Sequence, residues 1–378
     1  MTFIKRSLNT TEKLIVLSRD SRYDLACACG TREDEHRRRS KDDKWIYPVA
    51  LPGGGYTFLF KTLLSNKCVN DCKYCPLRAD LQVRRCDLTP EELSKIFFSY
   101  YKARKVNGLF LSSAVKDNPD NIMERINRTA LFLRRMRFKG YIHLKIIPGA
   151  SEAAIRQSLA LATAVSLNIE TAGEDNFRRL SATKDYDEDI LKPIKLISRL
   201  TGKGSSYQRV KQTTQFVVGA SNETDKELIK ASWKLYKQLG LSRIYFSAYQ
   251  RGAGSPELPG ESSGYTNKDL LAREHRLYQT DWLIRKYGFN AEEIPLGSGD
   301  NLSLTLDPKE MWAKSHPEFF PVNINKDEKW RLLRVPGLGQ VMVDRILMFR
   351  ENGIKIRSIE SLSKPNKILK KAEAYMSF

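Results

Sequence analysis

Residues 57–78 read TFLFKTLLSNKCVNDCKYCPLR, a short apolar segment of strand character that runs directly into a loop with three cysteines. Cys68, Cys72 and Cys75 follow the spacing Cys-x3-Cys-x2-Cys. A structural zinc site takes four ligands and a redox dithiol takes two, so neither accounts for three cysteines. Three thiolates bound to a cubane iron-sulfur cluster leave one iron open for a substrate or a cofactor. We therefore interpret this loop as the ligand set of such a cluster.

The chain on the carboxyl side of this loop alternates short apolar segments with longer amphipathic ones. Several amphipathic segments begin with a capping residue followed by proline, as at Thr89-Pro90 and Asn118-Pro119. This alternation predicts an α/β fold with a parallel sheet that curls into a partial (β/α)6 barrel, with ligands at the carboxyl ends of the strands. After the first strand, the predicted strands cover residues 108–113, 141–149, 164–170, 214–220 and 243–249.

Composition limits the class of protein and of partner. The chain has 378 residues, with 64 Lys and Arg against 44 Asp and Glu and a net charge of +20 at pH 7. This excess favours a polyanionic partner, most often a nucleic acid, and a solvated basic surface is the alternative. Six cysteines are too few for a disulfide scaffold, and no apolar run has the length of a membrane span or the form of a signal peptide. We expect a cytoplasmic protein with reduced thiols and no membrane partner.

The cysteine motif carries a family resemblance. Cys68-x3-Cys72-x2-Cys75, with Tyr74 just before the last cysteine and a strand before the first, resembles the radical S-adenosylmethionine (SAM) superfamily. The resemblance implies a 4Fe-4S cluster whose open iron binds the amino and carboxylate groups of SAM. It also implies a reductant such as flavodoxin or ferredoxin, cleavage of SAM to a 5'-deoxyadenosyl radical, and a partial TIM-like barrel of the radical SAM type.

The same resemblance suggests residues that contact the methionine and ribose parts of SAM. Where the superfamily has a glycine-rich segment for the amino group, this chain has LFLSSAV, so Ser112 and Ser113 would supply the acceptors. The segment LNIET resembles the ribose-binding strand end of lipoyl synthases, which makes Asn168 and Glu170 candidates for the ribose hydroxyls. Polar residues that meet solvent at a strand end are the alternative.

The adenine and carboxylate contacts follow from two further segments. QFVVGASNE approximates the strand that lies behind the adenine, with the acidic residue displaced to Glu223. Arg178 or Arg179 could pair with the SAM carboxylate, because a guanidinium grips a carboxylate through two N–H groups; a solvated helix face is the alternative. The SAM-binding candidates are therefore Tyr74, Ser112, Ser113, Asn168, Glu170, Arg178, Val217 and Gly219.

Three cysteines lie outside the motif. Cys27 and Cys29 occur in the segment CACG, and Cys86 follows the cluster loop. They are candidates for a second cluster or for a hydrogen-atom relay to a substrate radical, as in radical SAM lesion-repair enzymes. A small buried cysteine is the structural alternative for each.

The carboxy-terminal segment WRLLRVPGLGQVMVDRILMFRENG, residues 330–353, closely resembles a helix-hairpin-helix module. Its glycines permit a tight turn, and main-chain N–H groups at the start of the next helix can meet a nucleic-acid phosphate. Nearby basic residues favour nucleic acid, and a protein-interaction hairpin is the alternative. The nucleic-acid-binding candidates are Pro336, Gly337, Leu338, Gly339, Gln340 and Arg345, with Arg331, Arg334 and Lys355 as further cations.

The predicted organisation has three parts: a lead-in with a polar loop at 1–50, a radical SAM core at 51–315 and the hairpin domain at 316–378. This combination resembles a bacterial radical SAM family associated with DNA modification or repair and with uracil-DNA-glycosylase-like partners. The resemblance implies an enzyme that modifies or repairs a nucleotide, in DNA rather than RNA. A radical SAM enzyme that acts on tRNA, and a non-enzymatic DNA-binding iron-sulfur protein that senses redox state, are the alternatives.

Overall fold

The computed structural model describes residues 8–23, 45–51, 54–364 and 366–378. Cys27, Cys29 and the charge-rich segment after them lie outside these ranges. The described residues form two compact units. The first extends to Glu223 and also contains Lys234–Glu274, and the second comprises Thr224–Trp233 and His275–Phe378. The domain boundary expected from the sequence, 315/316, falls inside the second unit.

The first unit contains an open seven-stranded sheet in which the strands lie side by side in chain order. The first two strands are antiparallel and each later strand is parallel to the one before it. This arrangement confirms the predicted partial (β/α)6 barrel, to which the sheet adds one antiparallel edge strand. The strands are β1 (Ile46–Ala50), β2 (Tyr56–Leu63), β3 (Gly108–Ser112), β4 (Tyr141–Lys145), β5 (Ala164–Ser166), β6 (Lys211–Val218) and β7 (Arg243–Ala248).

Helices follow the strands of this unit, as the sequence predicted. Thr89 caps α2 in a reciprocal pair of hydrogen bonds with Glu92, and Asn118 caps α3. Each of these helices has proline at its first position, which suits a helix start because that N–H has no intrahelical partner. The helices are α1 (Thr10–Asp20), α2 (Pro90–Lys102), α3 (Pro119–Arg135), α4 (Glu152–Leu161), α5 (Glu174–Leu180), α6 (Lys192–Thr201), α7 (Asp225–Leu239), α8 (Pro259–Ser262) and α9 (Asn267–Lys286).

The core of the first unit lies on both faces of the sheet. Every residue of β3 is buried, as expected for a parallel strand that is covered on both sides. Phe97 on α2 packs edge-on against Phe60 of β2 and against Phe138. Burial of each such ring contributes roughly 1.5–3 kcal/mol. His143 on β4 is a buried core residue whose ring contacts the Ser166 hydroxyl at 2.9 Å.

The second unit consists mainly of helices around a separate apolar core. Two strands of two residues each, β8 (Val322–Asn323) and β9 (Met376–Ser377), pair in parallel and join its chain segments. None of the helices in the described ranges combines the length and the apolar composition that a membrane crossing requires. The helices wholly within this unit are α10 (Pro308–Ser315), α11 (Lys329–Arg334), α12 (Gln340–Glu351) and α13 (Lys367–Glu373).

Candidate functional site

The three cysteines of the motif line one cavity at the carboxyl ends of the parallel strands. Cys68, Cys72 and Cys75 are free thiols on the loop between β2 and α2, and Cys72 is the most deeply buried of them. The N–H of Cys75 donates to the carbonyl of Cys72 at 2.8 Å, which closes a tight turn between these two cysteines. The cavity is open on one side, and most of its lining comes from the carboxyl ends of β2 to β7 and the segments that follow them.

Loops that follow three other strands hold the cysteine loop in place. The N–H of Val69 donates to the carbonyl of Val115 after β3, at 2.8 Å. The N–H of Lys73 donates to the carbonyl of Leu180 at the end of α5, also at 2.8 Å, and the carbonyl of Lys73 accepts from Ser255 at 2.7 Å. These contacts fix the backbone of the loop that carries the three thiols.

Lys184 is the cation nearest to the cysteines among the described residues that line the cavity. Its ammonium donates to the Cys72 sulfur at 3.0 Å. Burial raises the pKa of Cys72, and Lys184 opposes that increase. Burial lowers the pKa of Lys184, but Cys72 and Glu170 outweigh burial and the net pKa is raised. Sequence reasoning missed Lys184, because no motif marks it and it lies 112 residues from Cys72.

Asn168 and Glu170 lie on the wall of the same cavity, at the end of β5. The side-chain oxygen Oδ1 of Asn168 is buried and has no hydrogen-bond partner in the described structure. Glu170 adopts a left-handed backbone conformation with φ of 66°, held by hydrogen bonds to Gln215 and Val217 on β6. Its carboxylate accepts a hydrogen bond from the buried hydroxyl of Tyr74, whose pKa is raised by burial first and by Glu170 second. A strained residue and an unsatisfied acceptor are both typical of a ligand site.

The other SAM-binding candidates divide into two groups. Ser112, Ser113 and Val217 line the cavity, as does Tyr74. Gly219 is not part of the cavity lining and instead forms a turn with φ of 86°, whose N–H donates to the Glu223 carboxylate. Glu223, the displaced acidic residue of this segment, lies four positions after Gly219, and the turn brings its carboxylate next to the glycine N–H.

Arg178 and Cys86 lie outside the cavity lining. The side chain of Arg178 is 70% exposed and pairs with Glu174 one turn earlier on α5. Arg179 donates to the carbonyl of Ser221 at 3.0 Å. Cys86 is buried, its sulfur contacts the carbonyl of Lys13 at 3.8 Å, and burial raises its pKa to about 11. The structure therefore brings together the motif cysteines and the strand-end residues, but not the arginines.

The chemistry of the donors fits a cluster with an open iron. Three cysteine sulfurs, a neighbouring ammonium and an unsatisfied amide oxygen face one space, so thiolate ligands, a countercharge and an acceptor for a hydroxyl are all available. In the described ranges, no three His, Cys, Asp or Glu side chains converge on a single metal ion. Thiolates that each bind a different iron of a cubane do not need to converge, so their separation is compatible with a cluster.

Residues 62–232 match the sequence profile of the radical SAM superfamily. This segment is a radical SAM domain. It contains the cysteine loop and every strand end that lines the cavity except that of β7. Enzymes with this domain use a 4Fe-4S cluster and SAM, so the profile match and the thiol geometry identify the same cofactors. The match covers less than half of the 378 residues, and it identifies the domain that carries the cysteine loop.

Solved structures with a similar fold include two maturation and biosynthesis enzymes. The [FeFe]-hydrogenase maturase HydG from Carboxydothermus hydrogenoformans is 15% identical with a TM-score of 0.46, and the match covers 60% of this chain and 51% of HydG. Methylornithine synthase PylB is 14% identical with a TM-score of 0.45, over 60% of this chain and 63% of PylB. The chain thus spans about half the length of HydG. No curated protein sequence matches it.

Outside the radical SAM domain, the turn between α11 and α12 is a tight hairpin. Gly337 has φ of 87°, and a Cβ there would lie 2.4 Å from the carbonyl oxygen of Ile368, so only glycine fits. Gly339 precedes α12, and no side chain caps the first turn of that helix. Pro336 and Leu338 are buried, whereas Gly337, Gly339 and Gln340 are partly exposed. The hairpin therefore presents main-chain groups at its tip.

Several basic residues near this hairpin contact the protein itself. Arg334 is 9% exposed at its side chain and pairs with Glu293 at 2.9 Å. Arg331 donates to the carbonyl of Phe319, and Arg345 donates to the carbonyl of Leu362 at 2.7 Å. Arg345 thereby links α12 to the segment before α13. Lys355 is exposed. The arginines that the sequence suggested for a nucleic-acid contact thus make structural contacts within the unit.

Lys309 on α10 is a buried lysine that contacts the hairpin. Its ammonium donates to the carbonyl of Leu338 at 2.6 Å and lies 4.7 Å from the centre of the Tyr287 ring. Burial lowers the pKa of Lys309 to about 7, and the Asp307 carboxylate acts in the opposite direction. Burial is therefore the cause of the lowered pKa of Lys309, since the carbonyl and the aromatic face both favour the charged amine.

The stability of the second unit should consequently depend on pH through Lys309. In the unfolded chain a lysine has a pKa of about 10.4, so between about pH 7 and about pH 10 the unfolded state binds the extra proton and stability rises with pH. We expect the free energy of unfolding of the wild type, relative to Lys309→Met, to increase across this window and to be level below it. Urea denaturation followed by tryptophan fluorescence measures this difference. A difference that is independent of pH would contradict the assignment.

Proposed function

We propose that this protein is a radical SAM enzyme that generates a 5'-deoxyadenosyl radical and uses it to modify or repair a nucleotide in nucleic acid, with DNA as the first choice. The main observation behind the proposal is that three thiols, an ammonium and an unsatisfied amide oxygen line the same cavity. The net charge of +20 and the hairpin in the second unit support the choice of a nucleic acid.

Different residues of the cavity would bind the cluster and SAM. Cys68, Cys72 and Cys75 would ligate the cluster, which when reduced supplies the electron that cleaves SAM. Asn168 and Glu170 would accept hydrogen bonds from the ribose hydroxyls. Around them the apolar lining excludes water, which protects a reactive radical from stray hydrogen donors.

Lys184, which lines the cavity beside Cys72, replaces Arg178 as our candidate for the partner of the SAM carboxylate. We expect Lys184→Met to weaken SAM binding roughly 10-fold or more, since a hydrogen bond to a charged group contributes about 1.5–3 kcal/mol. Arg178→Met should change the affinity by less than about twofold, because exposed pairs on a helix contribute little. Calorimetry with cluster-loaded protein under anaerobic conditions gives both dissociation constants. A large loss in Arg178→Met with none in Lys184→Met would reverse this assignment.

The hairpin would hold the backbone of the nucleic acid, in the manner of a helix-hairpin-helix module. The first turn of α12 has no side-chain cap, and the N–H of Met342 donates to the carbonyl of Gly339. The N–H groups of Gln340 and Val341 are therefore the candidates for a phosphate oxygen. Such contacts position a duplex without reading its sequence. An atom inside the base stack must leave the stack before a radical can reach it, so the target base would be flipped out.

A charge substitution at the tip tests the hairpin. Gln340→Glu puts a carboxylate at the start of α12, where it repels a phosphate, so we expect duplex affinity to fall on the order of tenfold. The variant also loses the hydrogen bonds that Gln340 donates to Asp344, so circular dichroism should confirm that it is folded. Asn352→Asp makes the same charge change at the other end of α12 and should alter the affinity by less than about twofold. Fluorescence anisotropy with labelled duplex DNA measures both. Equal effects of the two variants would show that the tip is not the contact.

The alternative substrate is RNA, and in particular tRNA. RNA recognition depends on single-stranded loops and the 2'-hydroxyl, whereas hairpin contacts to phosphates suit a duplex. Competition of unlabelled duplex DNA, single-stranded DNA and tRNA for the same labelled duplex distinguishes these substrates. Stronger competition by tRNA than by duplex DNA would favour the RNA-modifying enzyme. A uracil-DNA-glycosylase-like protein partner stays a prediction from the family resemblance.

A further inference from the structure

Asp71 occupies the position between the first two cluster cysteines and makes an unusually complete set of contacts. Its oxygen Oδ1 accepts from the hydroxyl of Ser181 at 2.6 Å, and from the hydroxyl and N–H of Thr183 at 2.7 Å and 3.4 Å. The other oxygen, Oδ2, accepts from the N–H of Ala182 at 2.8 Å. One carboxylate thus binds three successive residues of the segment that follows α5.

That segment leads directly to Lys184. A lysine has a long flexible side chain, and holding its ammonium in one place costs conformational entropy unless the backbone beneath it is already fixed. The contacts to residues 181–183 fix this backbone at the residue before the lysine. Asp71 is also the neighbour of Cys72 in the sequence. Its carboxylate therefore joins the loop that carries the Cys72 sulfur to the segment that carries the Lys184 ammonium, and these two atoms lie 3.0 Å apart.

We propose that Asp71 is a positioning residue that acts through Lys184, holding its ammonium against the sulfur of Cys72 and thereby raising the reduction potential of the cluster. Net charge and hydrogen bonds to the sulfurs set the potential of an iron-sulfur cluster, and a cation beside a ligand thiolate favours the reduced form. The inference rests on ligation of the cluster by the cysteine loop.

The sign of the effect distinguishes this role from a direct effect of the Asp71 charge. A carboxylate near the cluster disfavours the added electron, so its removal alone would raise the midpoint potential. If Asp71 acts by holding Lys184, its removal lets the ammonium leave Cys72 and the potential falls instead. A contribution only to folding would not move the potential of the molecules that carry a cluster.

The experiment is a redox titration of the reconstituted full chain, monitored by EPR, for the wild type, Asp71→Ala, Lys184→Met and the double variant. We expect both single variants to lower the midpoint potential, and the double variant to lie no lower than Lys184→Met alone, since two residues in one linkage are not additive. Asp71→Asn keeps the acceptor for both hydroxyls but loses the one for the Ala182 N–H, so its potential should fall between the wild type and Asp71→Ala.

Three results would overturn the inference. One is a potential in Asp71→Ala that is unchanged or raised, and another is a double variant whose shift is the sum of the single shifts. If Asp71→Ala does not take up iron, Asp71→Asn decides, and a wild-type potential in that variant contradicts the proposal. The iron and sulfide content of the wild type tests the premise that the cysteine loop binds a cluster. A wild type without a cluster would contradict the proposed function as well as this inference.

Discussion

Cys72→Ala is expected to abolish assembly of the iron-sulfur cluster and release of 5'-deoxyadenosine. Cys72 is the most buried thiol of the motif, and its sulfur accepts a hydrogen bond from the Lys184 ammonium. A ligand from the solvent therefore cannot easily take its place on the cluster iron. The wild type should take up about four iron and four sulfide per chain after anaerobic reconstitution, and the variant close to none. Metal and sulfide analysis with chromatography of the nucleoside products measures both effects.

Cys86→Ala is the matched control for this prediction. Its sulfur is also buried, but it contacts the carbonyl of Lys13 and does not line the cavity. Cluster content should therefore stay at the wild-type level. Full cluster content in Cys72→Ala, or loss of the cluster in Cys86→Ala alone, would show that the ligand set has been misassigned.

Glu223→Ala is expected to destabilise the radical SAM domain by about 3–5 kcal/mol, because it removes one member of a buried ion pair and the acceptor of three buried hydrogen bonds. The Glu223 side chain is fully buried and lies 4.0 Å from the guanidinium of Arg273. It also accepts from the hydroxyl of Ser221 at 2.7 Å and from the N–H groups of Gly219 and Ser221. The substitution thus removes the anchor of the turn that follows β6, whose residue Val217 lines the cavity.

Chemical denaturation followed by circular dichroism measures the loss of stability. Glu174→Ala is the matched control, since its partner Arg178 is exposed and such pairs contribute about 0.3–0.5 kcal/mol. Glu223→Gln retains one acceptor oxygen and should be less destabilising than Glu223→Ala. Equal stability of Glu223→Ala and Glu174→Ala would show that the buried carboxylate is not the anchor.

The barrel and the cysteine loop were predictable because their signals are local. The strand β2, whose last five residues are all buried, ends five residues before Cys68, and the capping residue Thr89 marks the start of the next helix. The antiparallel edge strand β1 was not predicted, although the segment LPGGG at 51–55, between β1 and β2, is the kind of glycine-rich turn that joins the two strands of a hairpin. The alternation of apolar and amphipathic segments was therefore sufficient to predict the parallel strands from β2 to β7.

The cation beside the cluster could not be found in this way. Arg178 was favoured because guanidinium geometry matches a carboxylate, yet its position on α5 faces solvent. Lys184 contacts Cys72 from a segment that is 112 residues away in the sequence, and neither composition nor residue spacing indicates such a contact. The same limit applies to Arg334, whose charge suggested a phosphate contact but whose partner is Glu293.

The central claim is that the cysteine loop holds a cluster that binds and cleaves SAM. The most direct test is EPR of the dithionite-reduced, anaerobically reconstituted chain before and after SAM is added, with 5'-deoxyadenosine measured in the same sample. We predict a cluster spectrum that changes when SAM binds, together with release of the nucleoside. A spectrum that SAM does not alter, without nucleoside release, would contradict this account and favour the non-enzymatic DNA-binding iron-sulfur protein.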